Sequence, residues 1–154
     1  MIETVGGDGS VLPPLVIYKG AGPYMGWYQH IKGLGCDEWQ FFYSRTGWTN
    51  SYLGLEWLKH FDKITAQRNK TSAYCCLIVD GHGSYVTIEF VEYALINNII
   101  VYCLPSYSTH LLQPLDVGLF SPLQKAYGKQ VDLAVRYGQV AINKGNFLPM
   151  VVRA

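Results

Sequence analysis

Two short uncharged runs, "YCCLIV" at 74–79 and "IIVYCL" at 99–104, constrain the fold more than anything else in the chain. Each has the length of a strand, and each is apolar at consecutive rather than alternate positions. That pattern belongs to strands covered on both faces, as in a parallel sheet. Between them, Thr87 can cap a helix that carries Glu89 in its first turn, and Asn97-Asn98 can end it in a left-handed residue. Strand, helix and strand joined by short connections form a crossover unit of a parallel sheet.

The rest of the chain supplies partners for that unit. Residues 2–6 and 14–19 read as strands around an Asp8-Gly9 turn, with Pro13 and Pro14 expected at the start of the second. Residues 20–50, rich in Gly, Tyr and Trp, read as loops with a short strand near 38–43. Asn50 or Ser51 can cap a helix whose Leu53, Trp57, Leu58, Phe61 and Ile64 share one face. "QRNKTS", 67–72, reads as a polar loop. A last helix is predicted to begin near Asp116, with Ser121-Pro122-Leu123-Gln124 acting as a second start where the chain bends.

Composition agrees with one packed domain over 1–154: 49% of residues are hydrophobic and 15% are charged. The net charge of +1 neither demands nor excludes a nucleic-acid partner. No apolar run reaches the roughly 18 residues of a membrane span, and the first residues lack the signal-peptide pattern, so no membrane partner is expected. Cys36, Cys75, Cys76 and Cys103 form no CxxC pair and read as reduced, buried thiols. The tryptophans Trp27, Trp39, Trp48 and Trp57 read as core residues.

Ligand sites in such sheets gather where the parallel strands end. Asp80 follows the first apolar run directly, and the loop after the second leads to Asp116. Two carboxylates on one edge can bind Mg²⁺ or Mn²⁺, which take hard oxygen ligands and keep several waters. Gly81 and Gly83 would let backbone and substrate come close. The spacing equally permits both aspartates to be caps or turn formers.

The stretch "LIVDGHGSYVTIEFVEYALINNIIVYCLPSYSTHLLQPLDVGLFSPLQKAY", 77–127, resembles the catalytic core of the DDE superfamily endonucleases. These are transposases of the mariner/pogo type and host proteins derived from them, including centromere-protein-B-like and jerky-like proteins. "DGSVLPPLVIYKG" and "GWTNSYLGLEWLKHFDK" resemble upstream segments of the same family, so the likeness covers most of residues 4–137, with its core motifs within 75–137.

The resemblance implies an α/β, RNase H-like mixed sheet flanked by helices. It further implies Mg²⁺- or Mn²⁺-dependent DNA strand cleavage and strand transfer, DNA as partner, a nuclear location, and a homodimer as one arrangement of the full-length parent. Asp80 matches the second catalytic carboxylate and Asp116 the third. The first belongs to a strand preceding "DGSVLPP", in a stretch like N-M-D-E, which is expected to be missing here together with that strand. Asp8 is no substitute, because its turn faces away from the metal edge, and Glu3 is little better placed.

Tyr85 stands where the family usually has histidine. His82, His110 and Gln113 are expected in DNA contact or loop positioning. Lys125 and Lys129, four apart on one helix face, are candidates for phosphate contact, as is Arg136 further along. The absent first carboxylate favours a second reading, a catalytically inactive nucleic-acid- or protein-binding module that keeps the fold. A third is a metal-dependent phosphoesterase unrelated to transposition.

Overall fold

The computed structural model describes residues 1–22, 33, 35–68, 74–105, 107–139 and 141–153. It is a mixed α/β fold of the RNase H-like kind, and among the described residues its strands form two sheets rather than one. The first sheet holds β1 (Ile2–Val5), β2 (Val11–Lys19) and β3 (Gln40–Ser44) in that order, with β1 antiparallel and β3 parallel to β2. The second holds β4 (Cys75–Val79) and β5 (Ile99–Cys103), which run parallel. Helix α2 (Ile88–Ile96) makes the crossover between them.

The ends of α2 follow the sequence. The Thr87 side chain accepts a hydrogen bond from the Phe90 N–H, and Asn98 takes a φ of 57° just beyond the helix. Helix α1 (Ser51–Arg68) is capped by Asn50, whose side chain accepts from the Leu53 N–H at 2.9 Å. Its Leu53, Trp57, Leu58 and Phe61 are buried. With Leu12, Leu15, Leu77, Val79, Phe90 and Ile99 they form the main core, so both sheets rest on a shared layer of α1 and α2.

Pro13 and Pro14 lie inside β2 instead of opening it. Two features make room for them. The β1–β2 register shifts between Ile2, opposite Leu15, and Thr4, opposite Leu12, and β3 begins pairing only at Leu15. The prolines therefore occupy a bulge with no β3 residue alongside, where no ladder donor is needed. The same shift lets Leu12 and Leu15, an odd number of residues apart, enter one core.

The expectation that β4 and β5 are covered on both faces fails. Leu77, Val79 and Ile99 are buried against the helices, but Cys76, Ile78, Ile100 and Tyr102 on the opposite face are exposed. Period and composition record that a strand is apolar; whether a second layer covers it depends on where later helices go. Helix α4 (Phe120–Arg136) contributes no fully buried residue, and it packs instead against the preceding turn and α5 (Lys144–Val152). No element was expected beyond residue 137. There α5 is capped by Asn143, and its Leu148 joins Val16, Tyr18 and Cys36 in a second, smaller core.

The bend expected at Ser121 is also corrected. A short helix α3 (Thr109–Leu112) is followed by a π turn (Leu115–Leu119) that runs into α4 at Phe120. Ser121 is thus inside the winding, with Pro122 in the first turn of α4. Among the cysteines, Cys36 is buried, Cys75 is half-buried, and Cys76 and Cys103 are exposed, so burial of all four was wrong. Trp57 and the partly buried Trp39 belong to the cores, whereas Trp48 is 75% exposed. Trp27 and the greater part of the "QRNKTS" loop lie outside the described residues.

Candidate functional site

A cleft of about 790 Å³ separates the two sheets. Every residue of β1 lines one side and every residue of β4 the other, with Trp57, Phe61 and Thr65 of α1 between them.

Strand directions fix its two ends. β2 and β3 run the same way, and the segment after β3 brings Thr49 into a hydrogen bond with Tyr85, just beyond β4. The carboxyl ends of β2, β3 and β4 therefore share an edge, and β1 runs opposite to them. The turn containing Asp8 lies at the far end, where the Asp8 carboxylate accepts from the Ser10 N–H at 2.9 Å.

Asp80 marks the near end, directly after β4. Its Oδ1 accepts from the His82 main-chain N–H at 3.2 Å, and its carbonyl oxygen faces the Cys103 thiol at 3.5 Å. β5 ends level with β4, shown by the Leu104 N–H donating to the Val79 carbonyl at 2.9 Å. The chain after β5 therefore leaves from the Asp80 edge and winds back so that Gln113 and Asp116 also line the cleft. Asp116 sits in the π turn, a rare local winding that recurs at functional sites.

His82 does not turn its ring to Asp80. Nδ1 lies 2.7 Å from Ser84 Oγ and accepts from the Ser84 N–H at 3.3 Å, capping the short 3₁₀ turn Gly83–Tyr85. An Nδ1 that accepts a main-chain N–H carries no proton, so the neutral ring is protonated on Nε2.

The close approach anticipated at Gly81 and Gly83 occurs elsewhere. A Cβ on Gly83 would meet nothing within 4 Å, and one on Gly81 would stand 3.6 Å from the Leu104 carbonyl oxygen. At Gly54 of α1 it would stand only 2.5 Å from the Ser84 carbonyl oxygen. Gly54 thus lets the helix back directly onto the turn that follows Asp80.

Tyr85 and Thr49 are the neighbours that the sequence did not single out as site residues. The Tyr85 ring packs between Trp57, Phe90 and His82, with centroids 5.8, 5.8 and 6.0 Å away. Burial, and then the Asp80 charge, push its phenol up to about 12, against a smaller opposing effect of the Thr49 hydrogen bond. The signal available was Tyr85 itself, an aromatic in place of an expected histidine.

His110 on α3 and Lys125 and Lys129 on α4 are exposed and do not line the cleft. Asp80, His82, Gln113 and Asp116 thus line the cleft, and the other three candidates do not. Among the described residues, no group of three or more His, Cys, Asp or Glu side chains is arranged to hold a metal ion.

A family model described as "DDE superfamily endonuclease" matches residues 1–154. A protein of Cochliobolus lunatus named "MFS-type transporter clz9" is 35% identical over 149 residues, covering 97% of this chain and 16% of that protein. The chain thus spans under a fifth of the curated relative it matches. No solved structure matches it.

Proposed function

Because this chain belongs to the DDE superfamily endonucleases, a transposase-derived nuclease family, we propose that it acts on DNA phosphodiesters with a divalent cation held by Asp80 and Asp116. The observation that supports this reading is that both carboxylates line one cleft, one from a strand tip and one from a π turn. Their donor set suits Mg²⁺ or Mn²⁺, which accept a few carboxylate oxygens and complete their shell with water. When bound, such an ion supplies Lewis acidity toward a phosphodiester oxygen and makes a bound water more acidic.

The protein's own groups do the positioning. The His82 main-chain N–H orients the Asp80 carboxylate. The Ser84 cap fixes the His82 ring with its proton on Nε2, where it can donate to a phosphate oxygen. Gln113 offers a neutral amide to the same cleft. Lys125 and Lys129 give a salt-sensitive phosphate contact outside it, and His110 a further polar one. A DNA substrate makes the nucleus its working location. Transport forms no part of this reading: no helix among the described residues is long and apolar enough to cross a membrane.

The second reading, an inactive nucleic-acid- or protein-binding module, is favoured by the absence of a three-ligand metal cluster among the described residues. Thermal melts with and without Mn²⁺ separate the two. At ten times Kd, a bound ion stabilises by about 1.4 kcal/mol, worth roughly 3–6 °C for a chain of this size. Asp80→Asn and Asp116→Asn should each remove that shift. A wild-type chain that shows no shift while still binding DNA in EDTA would establish the inactive reading instead.

A further inference from the structure

We propose that Trp48 is a stacking platform for an unpaired DNA base at the Asp80 end of the cleft. Stacking there rests on the reading of the cleft as a DNA site, and it specifies the form of DNA that enters: a single strand, or a base turned out of its duplex.

Local hydrogen bonds hold the Trp48 main chain in place. β3 ends at Ser44, whose hydroxyl accepts from the Gly47 N–H at 2.9 Å and donates to the Trp48 carbonyl at 2.8 Å. The Trp48 N–H donates to Thr46 Oγ1 at 3.3 Å. Gly47 takes a φ of 83°, and a Cβ there would stand 3.1 Å from Lys19 Cβ, so the turn lies close against the end of β2. On the other side, Thr49 bonds to Tyr85 and Asn50 caps α1. The chain is thereby tied on both sides of Trp48 to the edge where Asp80 lies. An indole carried on a fixed backbone has little freedom left to lose on binding.

The indole is exposed, yet it lines the same cleft as Asp80, His82, Gln113 and Asp116. Trp57 lines that cleft too, but it is buried in the main core, with its ring 5.8 Å from those of Phe61 and Tyr85. No Lys or Arg is among the described residues that line the cleft. Side-chain cations there therefore do not grip phosphates, and the π-face of a base is the part of DNA that the lining complements. In a duplex each base is stacked between its neighbours and only its edges reach the grooves. An indole face can be used only by a base that has left the stack.

The test uses the 154-residue chain carrying Asp80→Asn and Asp116→Asn, in EDTA. Those replacements remove two carboxylate charges that would otherwise need a cation beside DNA. Anisotropy measures binding of a labelled DNA strand of about twelve nucleotides, alone and in a blunt duplex. Tighter binding of the single strand is expected. Adding Trp48→Ala should weaken it roughly five- to a hundredfold, and Trp48→Phe should recover most of that loss. Duplex affinity should change by less than about twofold in either variant. A strand of abasic sugars keeps the phosphates and lacks the bases, so it should bind the Trp48→Ala variant and its parent equally. Unchanged single-strand affinity in Trp48→Ala, equal losses for strand and duplex, or an equal loss for the abasic strand would each overturn the stacking role while leaving DNA as the ligand. Binding of neither form would overturn both. No metal is present, so the Mn²⁺ melts remain a separate measurement.

Discussion

Replacing Gly54 by alanine tests how α1 supports the turn that follows Asp80. In an exposed helix the change would be favourable, since alanine exceeds glycine in helix propensity by about 1 kcal/mol. Here the new Cβ would lie 2.5 Å from the Ser84 carbonyl oxygen and 3.2 Å from both its carbonyl carbon and its Cβ. The first contact is with main chain, which cannot rotate away. α1 or the Gly83–Tyr85 turn must therefore shift, and overpacking of this kind costs about 1–3 kcal/mol.

Gly128, in α4, is the internal control, because a Cβ there meets nothing within 4 Å. Gly128→Ala should raise stability by about 0.5–1 kcal/mol. Gly54→Ala should lower it by up to about 2 kcal/mol net, or up to roughly 8 °C in Tm for a chain of this size. Urea melts of both variants against wild type, with m-values compared, read the difference. If Gly54→Ala matches or exceeds Gly128→Ala in stability, the helix does not rest on the turn and the local account is wrong.

Tyr85 makes stability depend on alkaline pH. Its phenol is pushed from 10 up to about 12 in the fold, so the unfolded chain loses this proton first as pH rises. The stabilisation is complete below pH 10 and is lost between pH 10 and about 12, by about 2–3 kcal/mol in all. Tyr85→Phe should flatten the fall of Tm over that range relative to wild type. Asp80→Asn should make the phenol ionise at lower pH, seen in the near-ultraviolet tyrosinate absorbance; an unchanged titration would place Asp80 away from the ring. A thiol reagent added to folded protein should label Cys76 and Cys103 well before Cys36, as mass spectrometry of the digest would show, because Cys36 is buried and its thiol pushed up by that burial. Comparable labelling of all three would contradict the burial of Cys36.

Elements governed by near neighbours were legible in advance. β4, α2 and β5 follow from apolar runs and from caps within a few residues of each helix end, and Asp80 sits at its strand tip for the same reason. The prolines of β2 were placed wrongly because their tolerance depends on register with β1 and on where β3 begins. "SPLQ" looks like a helix start, but the chain is already wound when it arrives, because the π turn at Leu115–Leu119 feeds α4 directly.

The sequence by itself determined the strands, the capped helices and the two aspartates that follow apolar segments, since those depend on short-range periodicity and local hydrogen bonding. Only the tertiary structure decided that Gly54 backs onto Ser84, that Thr49 reaches Tyr85, that one face of β4 and β5 stays exposed, and that β1 and β4 line one cleft. Each of these is a contact, or a missing contact, between segments far apart in the chain. It is settled when whole layers pack together, and no local window of residues encodes it.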